Sequence, residues 1–354
     1  MTKRNNTLTL DWFACTVKDM TPKNVIDDVL KMKSEDFAYN AWGINKYGCH
    51  YSYADICVYF PNTSSSEEHL EKMGVFVQLK GQGCSQYTEY MNSNDNNWVS
   101  LVKRFVSVKA NFTRLDLAND IYDNSLSVQT VYEYVKKGLC VSSAKSYEYH
   151  EKGLLDSGEI VGETVNIGVK GGDGQQLGVY NKLMEQNQVG SSDIDSWVRC
   201  ELRVFGEKAN LIANEIAKER PLKSIFFESV NGHYRFVLDN VHSNDKNVRR
   251  RKPVKWWSDY IGTEKKTELK IVRDKRTMEK TRKFVDKQLA KSLAMLAQAE
   301  YEIKGDEGVE NLINDLLLKG KQKITDKDWS MIEQCVKEQQ SDENWGVAAP
   351  QKNK

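Results

Sequence analysis

Tyr180 ends the short apolar run Leu177-Gly178-Val179-Tyr180, and Lys182 follows two residues later. A phenol that loses its proton is a nucleophile toward phosphorus, and its ordinary pKa of about 10 falls when a cation stands beside it. Lys182 is the nearest cation in sequence, so Tyr180 and Lys182 are the candidate catalytic pair. The chain has 16 tyrosines, and an ordinary strand tyrosine is the competing reading.

Carboxylates and arginines supply the remaining chemistry. In Phe112-Thr113-Arg114-Leu115-Asp116-Leu117-Ala118-Asn119-Asp120 the strand period of two puts Asp116, Ala118 and Asp120 on one face, with Leu115 and Leu117 on the other. Two carboxylates on one strand face repel unless a cation lies between them. A divalent metal with oxygen ligands would satisfy them, or Asp116 pairs with Arg114 or Arg199 while Asp120 begins a turn. In Trp197-Val198-Arg199-Cys200-Glu201-Leu202-Arg203 the charged residues again alternate with apolar ones. Such a strand can line a phosphate-binding cleft, because arginine contacts phosphate oxygens in a bidentate fork and glutamate can bind metal. It can equally be a solvated charged face.

The five histidines (His50, His69, His150, His233 and His242) are dispersed and form no His-x-His pair. A metal would therefore be held mainly by carboxylates, with Mg²⁺ or Mn²⁺ as the expected ion. His50 and His233 read as ordinary polar or core residues or as single ligands. The seven cysteines contain no CxxC pair, which points to reduced thiols rather than a zinc site.

These residues need a scaffold. Strand-like segments cover 7–18, 47–60, 75–79, 111–121, 164–169, 176–180 and 197–205. Helical spacing covers 21–33, 97–108, 128–137 and 207–218. Lys80-Gly81-Gln82-Gly83 reads as a turn, and Gly171-Gly172-Asp173-Gly174 as the turn of a β-hairpin. The mixed order with hairpin connections predicts an α+β fold, with a mainly antiparallel central sheet flanked by helices and a helical basic C-terminal region. Further helices are expected over 264–301, 308–318 and 326–339.

Formal net charge is +1, but residues 246–291 hold 17 Lys and Arg against 6 Asp and Glu, a local +11 that leaves −10 for the rest. Arg249, Arg250, Arg251, Lys252 and Lys255, followed by Trp256 and Trp257, suit phosphate neutralisation with base stacking. A linker whose tryptophans dock onto the main domain is compatible with that. The expected division is a domain over 1–245, a basic helical region over 246–340 and a disordered tail over 341–354. No apolar run approaches the roughly 20 residues of a membrane span, and the N-terminus lacks a signal-peptide pattern, so a cytoplasmic protein is expected.

Several blocks, in order, resemble the replication initiation factor family, which includes initiators of rolling-circle plasmids and filamentous phages and related relaxases. They are Leu10-Asp11-Trp12, Leu79 to Cys84, Thr113 to Asp120, Thr164 to Gly168, Gly178 to Lys182 with Glu185, and Arg199-Cys200-Glu201. The resemblance covers about residues 8 to 240. It implies that Tyr180 is the nucleophile of a metal-dependent DNA nickase that passes through a 5′-phosphotyrosyl intermediate. It implies metal binding by Asp116, Asp120 and Glu201; DNA contacts are expected from Arg114, Arg199 and Arg203 and, on charge, from the 249–255 cluster. Gly178 stands where plasmid members carry an arginine, so a phosphate contact would pass to Lys182 or Arg199. Origin duplex and extruded single strand, a host helicase and polymerase, and a second copy of the chain are the implied partners. A relaxase of a mobile element and a non-catalytic DNA-binding regulator are the alternative functions.

Overall fold

A computed structural model describes residues 4–62, 73–93, 97–171, 174–187, 194–239, 247–262 and 278–341. The chain divides into two compact units, Met1–Ile271 and Val272–Lys354.

The first unit is built on a ten-stranded antiparallel sheet. Its strands are β1 (Thr7–Val17), β2 (Ala38–Asn40), β3 (Cys49–Tyr53), β4 (Ile56–Phe60), β5 (Val75–Leu79), β6 (Asn111–Ile121), β8 (Tyr147–Gly153), β9 (Ile160–Ile167), β10 (Gln175–Asn181) and β11 (Val198–Phe205). Their spatial order is β2-β3-β4-β5-β1-β6-β11-β10-β9-β8. The short strands β7 (Cys140–Ser142) and β12 (Tyr234–Phe236) pair separately. The expected α+β architecture is present.

Period-two alternation fixes what each face carries. Phe13 and Cys15 of β1, Leu115 and Leu117 of β6, Cys200 and Leu202 of β11 and Leu177 and Val179 of β10 point into the main apolar core. Helices cover that face. Helix Trp98–Ser107 starts where the Asn97 side chain accepts the Ser100 amide, and it buries Trp98, Leu101, Val102 and Phe105. Helix Glu207–Ala217 packs between it and β6. The opposite face carries the polar members of the same strands, and there the candidate site lies.

Several local expectations change. Gly81 and Gly83 do not form a turn; they open helix Gly81–Ser93 directly after β5. The 47–60 segment is a hairpin, β3 and β4, reversed at Ala54 with φ 47°. The first helix is short, Pro22–Asn24 followed by a π-helical turn Val25–Leu30. Helix Leu222–His233 and strand β8 were not foreseen. Of the expected hairpin turn, Gly172 and Asp173 lie outside the described residues.

The boundary expected near 245 also moves. Val254, Trp257, Tyr260 and Ile261 are buried members of the first unit's core, and Trp257 packs against Phe236 at 4.7 Å and Tyr260 at 5.6 Å. Burying a tryptophan is worth several kcal/mol of transfer free energy (about 3–5 when truncated to alanine), which ties the start of the basic segment to the sheet domain. The tryptophan pair docks, as the linker reading held.

The second unit is helical over its described residues, with Met278–Phe284, a π-helical turn Val285–Leu289, Ala290–Lys321 and Asp326–Ser341. The long helix breaks at Gly305, whose φ of 66° is left-handed. The 264–277 part of the expected basic helix and the 342–354 tail lie outside the described residues.

Candidate active site

The site spans the polar face of four adjacent central strands, β1, β6, β11 and β10. Cross-strand register sets Arg199 opposite both Asp120 and Tyr180, Arg203 opposite Asp116 and Gln176, and Glu201 opposite Ala118 and Gly178. Residues 19 to 87 positions apart in sequence thus share one surface.

Each carboxylate is engaged by an arginine. Arg114 donates Nε and Nη2 to Asp116, with Nε–Oδ1 at 2.9 Å. Arg199 donates Nε and Nη2 to the two oxygens of Asp120 at 2.7 and 2.9 Å, and its Nη1 reaches Asp11 Oδ1 at 2.7 Å. The indole of Trp197 gives Asp120 Oδ1 a further hydrogen bond at 2.7 Å. Arg203 places Nε and Nη2 on Glu201 Oε2 at 3.0 and 2.7 Å, and its Nη1 donates to Asn166 and Gln176. Asp116, Asp120, Arg199 and Glu201 are all buried, so the solvated-face reading fails for this strand.

The three carboxylates expected to share a metal do not converge. Among the described residues no group of three His, Cys, Asp or Glu side chains is placed to hold an ion. Asp120 remains in strand β6 rather than starting a turn, and both its oxygens are committed to Arg199 and Trp197. Asp116 and Glu201 are different. Burial, helped by the neighbouring Glu201 charge and opposed by Arg114 and Arg203, pushes the Asp116 carboxyl up to about 7. Those two carboxylates are buried neighbours, each held by its own arginine.

Tyr180 is half-buried at the end of β10. Burial first, and then the Glu201 charge, hold its phenol well above the ordinary tyrosine range, while Arg199 acts in the opposite sense. Lys182 begins helix Lys182–Asn187 instead of continuing the strand. Its ammonium still lies 5.9 Å from the Tyr180 ring centroid and pairs with Glu185 at 2.7 Å.

Arg199 and Arg203 both direct hydrogen bonds to partners inside the site. Arg114 is packed 3.8 Å over the Trp12 ring and 5.4 Å from Phe205. Arg249, Arg250, Lys252 and Lys255 are exposed, Arg251 approaches Asp239 at 3.8 Å, and Lys255 pairs with Asp259. His50 Nδ1 is bonded to the Trp42 carbonyl and His233 Nδ1 to the Ser229 carbonyl, both structural placements.

Sequence reasoning assigned no role to Asp11, Asn166, Gln176 or Trp197. Asp11 reaches Arg199 because a β-bulge lies between Leu10 and Trp12, where β1 gains a residue over β6. A bulge leaves no period-two signal, and the two amides look like any polar strand residue.

The model of the replication initiation factor family matches residues 110–313, which contain every site residue named above except Asp11 and Trp12. The chain belongs to that family. The rolling-circle replication initiation protein N-terminal domain matches residues 7–104. The Bacillus subtilis (strain 168) protein named "Putative DNA relaxase NicK" is 24% identical over 319 residues, 89% of this chain and 87% of that protein. The rolling circle replication initiator protein from Geobacillus stearothermophilus has the same fold, with a TM-score of 0.62 at 22% identity over 73% of this chain and 96% of that one. Family membership makes this chain a rolling-circle initiator or relaxase-type DNA-nicking enzyme with DNA as its partner. Among the described residues no helix is long and apolar enough to cross a membrane.

Proposed function

We propose that the chain nicks one DNA strand through Tyr180, forming a 5′-phosphotyrosyl link and a free 3′-OH, and rejoins it by the reverse reaction. The observation that carries this is the placement of Tyr180 directly across from Arg199, beside Glu201, on the polar face of the central strands. The Tyr180 Oη–phosphorus bond forms as the bond from phosphorus to the 3′ oxygen breaks. The phenolic proton leaves to a site carboxylate, and the departing oxygen takes one from solvent. The phosphodiester's energy stays in the tyrosyl ester, so rejoining needs no nucleotide.

Asp116 and Glu201 would hold a divalent cation, Mg²⁺ or Mn²⁺. Both are buried and close enough for their charges to oppose each other, and Arg203 engages only one oxygen of Glu201. Such an ion supplies charge stabilisation at the attacked phosphate's non-bridging oxygens. Asp120 has another task in this reading: with Asp11 it clamps Arg199 beneath the phenol. Lys182 keeps positive charge near the ring, and the exposed Arg249, Arg250, Lys252 and Lys255 contact duplex phosphates. A host helicase and polymerase, and a second copy of the chain, complete the proposal. A relaxase role uses the same chemistry and is favoured by the Bacillus subtilis relative.

Incubating the protein with a labelled single strand of the origin and Mn²⁺ should give a covalent adduct resolved by denaturing gel. Tyr180→Phe should abolish it. An undiminished adduct from that variant removes Tyr180 as nucleophile.

A further inference from the structure

We propose that the polar sheet face carries a docking track for single-stranded DNA that leads away from the nicking centre to Trp12, Lys80, Trp42 and Lys46. The proposal rests on Tyr180 marking the other end of that track.

Four observations point there. Trp12 lies on the polar face at the bulge of β1, next to Arg114, and its indole Nε1 is buried without a hydrogen-bond partner. Lys80, exposed at the end of β5, holds its ammonium 5.8 Å from the Trp12 ring. Beyond Trp12 the same face is roofed by the 41–48 loop, whose Ile44 and Tyr47 pack with Trp12 against Ala14, Tyr59 and Phe76. That loop presents Trp42, 60% exposed, with Lys46 exposed beside it in the sequence.

Trp42 is displayed on a fixed support. Its carbonyl accepts a hydrogen bond from His50 Nδ1 at 2.7 Å, and its ring stands edge-on to the His50 imidazole at 4.5 Å. Asn45 and Lys46 both adopt left-handed φ, and a Cβ on Gly43 would collide with the Tyr47 carbonyl at 2.2 Å. An aromatic held this way gives up little conformational freedom when a base stacks on it. From β10 to β3 there are six strand intervals, about 29 Å at roughly 4.8 Å each. Aromatics interleaved with lysines over such a length are the chemistry of sequence-tolerant single-strand binding, whose footprints start at about 4 nucleotides. The other face of the sheet is closed by helices, so a strand whose phosphate sits at Tyr180 can continue only across this one.

The test uses the full chain and fluorescein-labelled dT20, followed by anisotropy. The double variant Trp42→Ala/Lys46→Ala should bind about tenfold more weakly, the loss expected for one stacked base. Lys80→Ala should lower the slope of log affinity against log salt by about 0.7. Unchanged affinity and slope in these variants, with unchanged thermal melting, overturns the track. Loss of the origin-strand adduct assignment would show in the adduct assay alone, so the two readings fail separately.

Discussion

The guanidinium of Arg203 lies over the bare α-carbon of Gly178. A Cβ built on Gly178 would sit 3.1 Å from Nη2 and 3.3 Å from Cζ of Arg203, and 3.2 Å from the Asn166 carboxamide oxygen. The strand position without a side chain is what lets an arginine from β11 lie flat across β10 and hold Glu201, Asn166 and Gln176 at once. Gly178 and Arg203 thus work as a pair.

Gly178→Ala should therefore displace Arg203 and loosen Glu201. We expect a stability loss of about 1–3 kcal/mol, typical of overpacking, and a larger proportional loss of adduct formation. Urea denaturation and the adduct assay measure the two effects; a variant equal to wild type in both would show that the arginine has room to move.

Arg199 is clamped by Asp120 and Asp11. Removing it as Arg199→Ala leaves buried Asp120 without its counter-charge, at a cost of about 3–5 kcal/mol. Arg199→Lys cannot reproduce the fork and should recover only part of this. Chemical denaturation of the three proteins gives the order wild type, lysine variant, alanine variant.

Asp116 makes a pH prediction for metal-free protein. Its folded pKa of about 7 lies above an unfolded value of about 3.9. Between those values the folded state binds the extra proton, so this residue's contribution to stability falls as pH rises from about 4 to about 7 and is flat above. Asp116→Asn lacks that slope. In EDTA, the melting temperature of the variant relative to wild type should climb across this window, whatever its offset from the loss of the Arg114 partner. A constant difference would mean that Asp116 titrates normally.

Truncation tests the domain boundary. A fragment ending at residue 245 loses Trp257 and the Tyr260 hydroxyl that accepts from Asn119 at 3.0 Å on the back of β6. It should melt well below a fragment ending at residue 262, which keeps both. Equal melting temperatures would return the boundary to 245.

Period-two alternation makes β6 and β11 legible from residue order alone. The 111–121 strand needs nothing beyond the order of its apolar and charged residues, and the same order puts Asp116 and Asp120 together on one face of β6 and Arg199, Glu201 and Arg203 together on one face of β11. The strand that carries Tyr180 and the α+β class are legible in the same way, because hydrophobic pattern and turn residues act locally. Which charges meet is a different matter. Alternation could not tell whether Asp116 and Asp120 share a metal or each take an arginine, since that depends on the register of strands up to 190 residues apart. It also could not show the extra residue in β1 that brings Asp11 to Arg199, the helix that Gly81 opens, or Trp257 and Tyr260 closing the core from beyond residue 245. Local sequence determined which faces are polar and where the strand that carries Tyr180 lies. Tertiary structure decided the partners, because burial makes an unpaired charge costly and only the assembled sheet supplies the counter-charge.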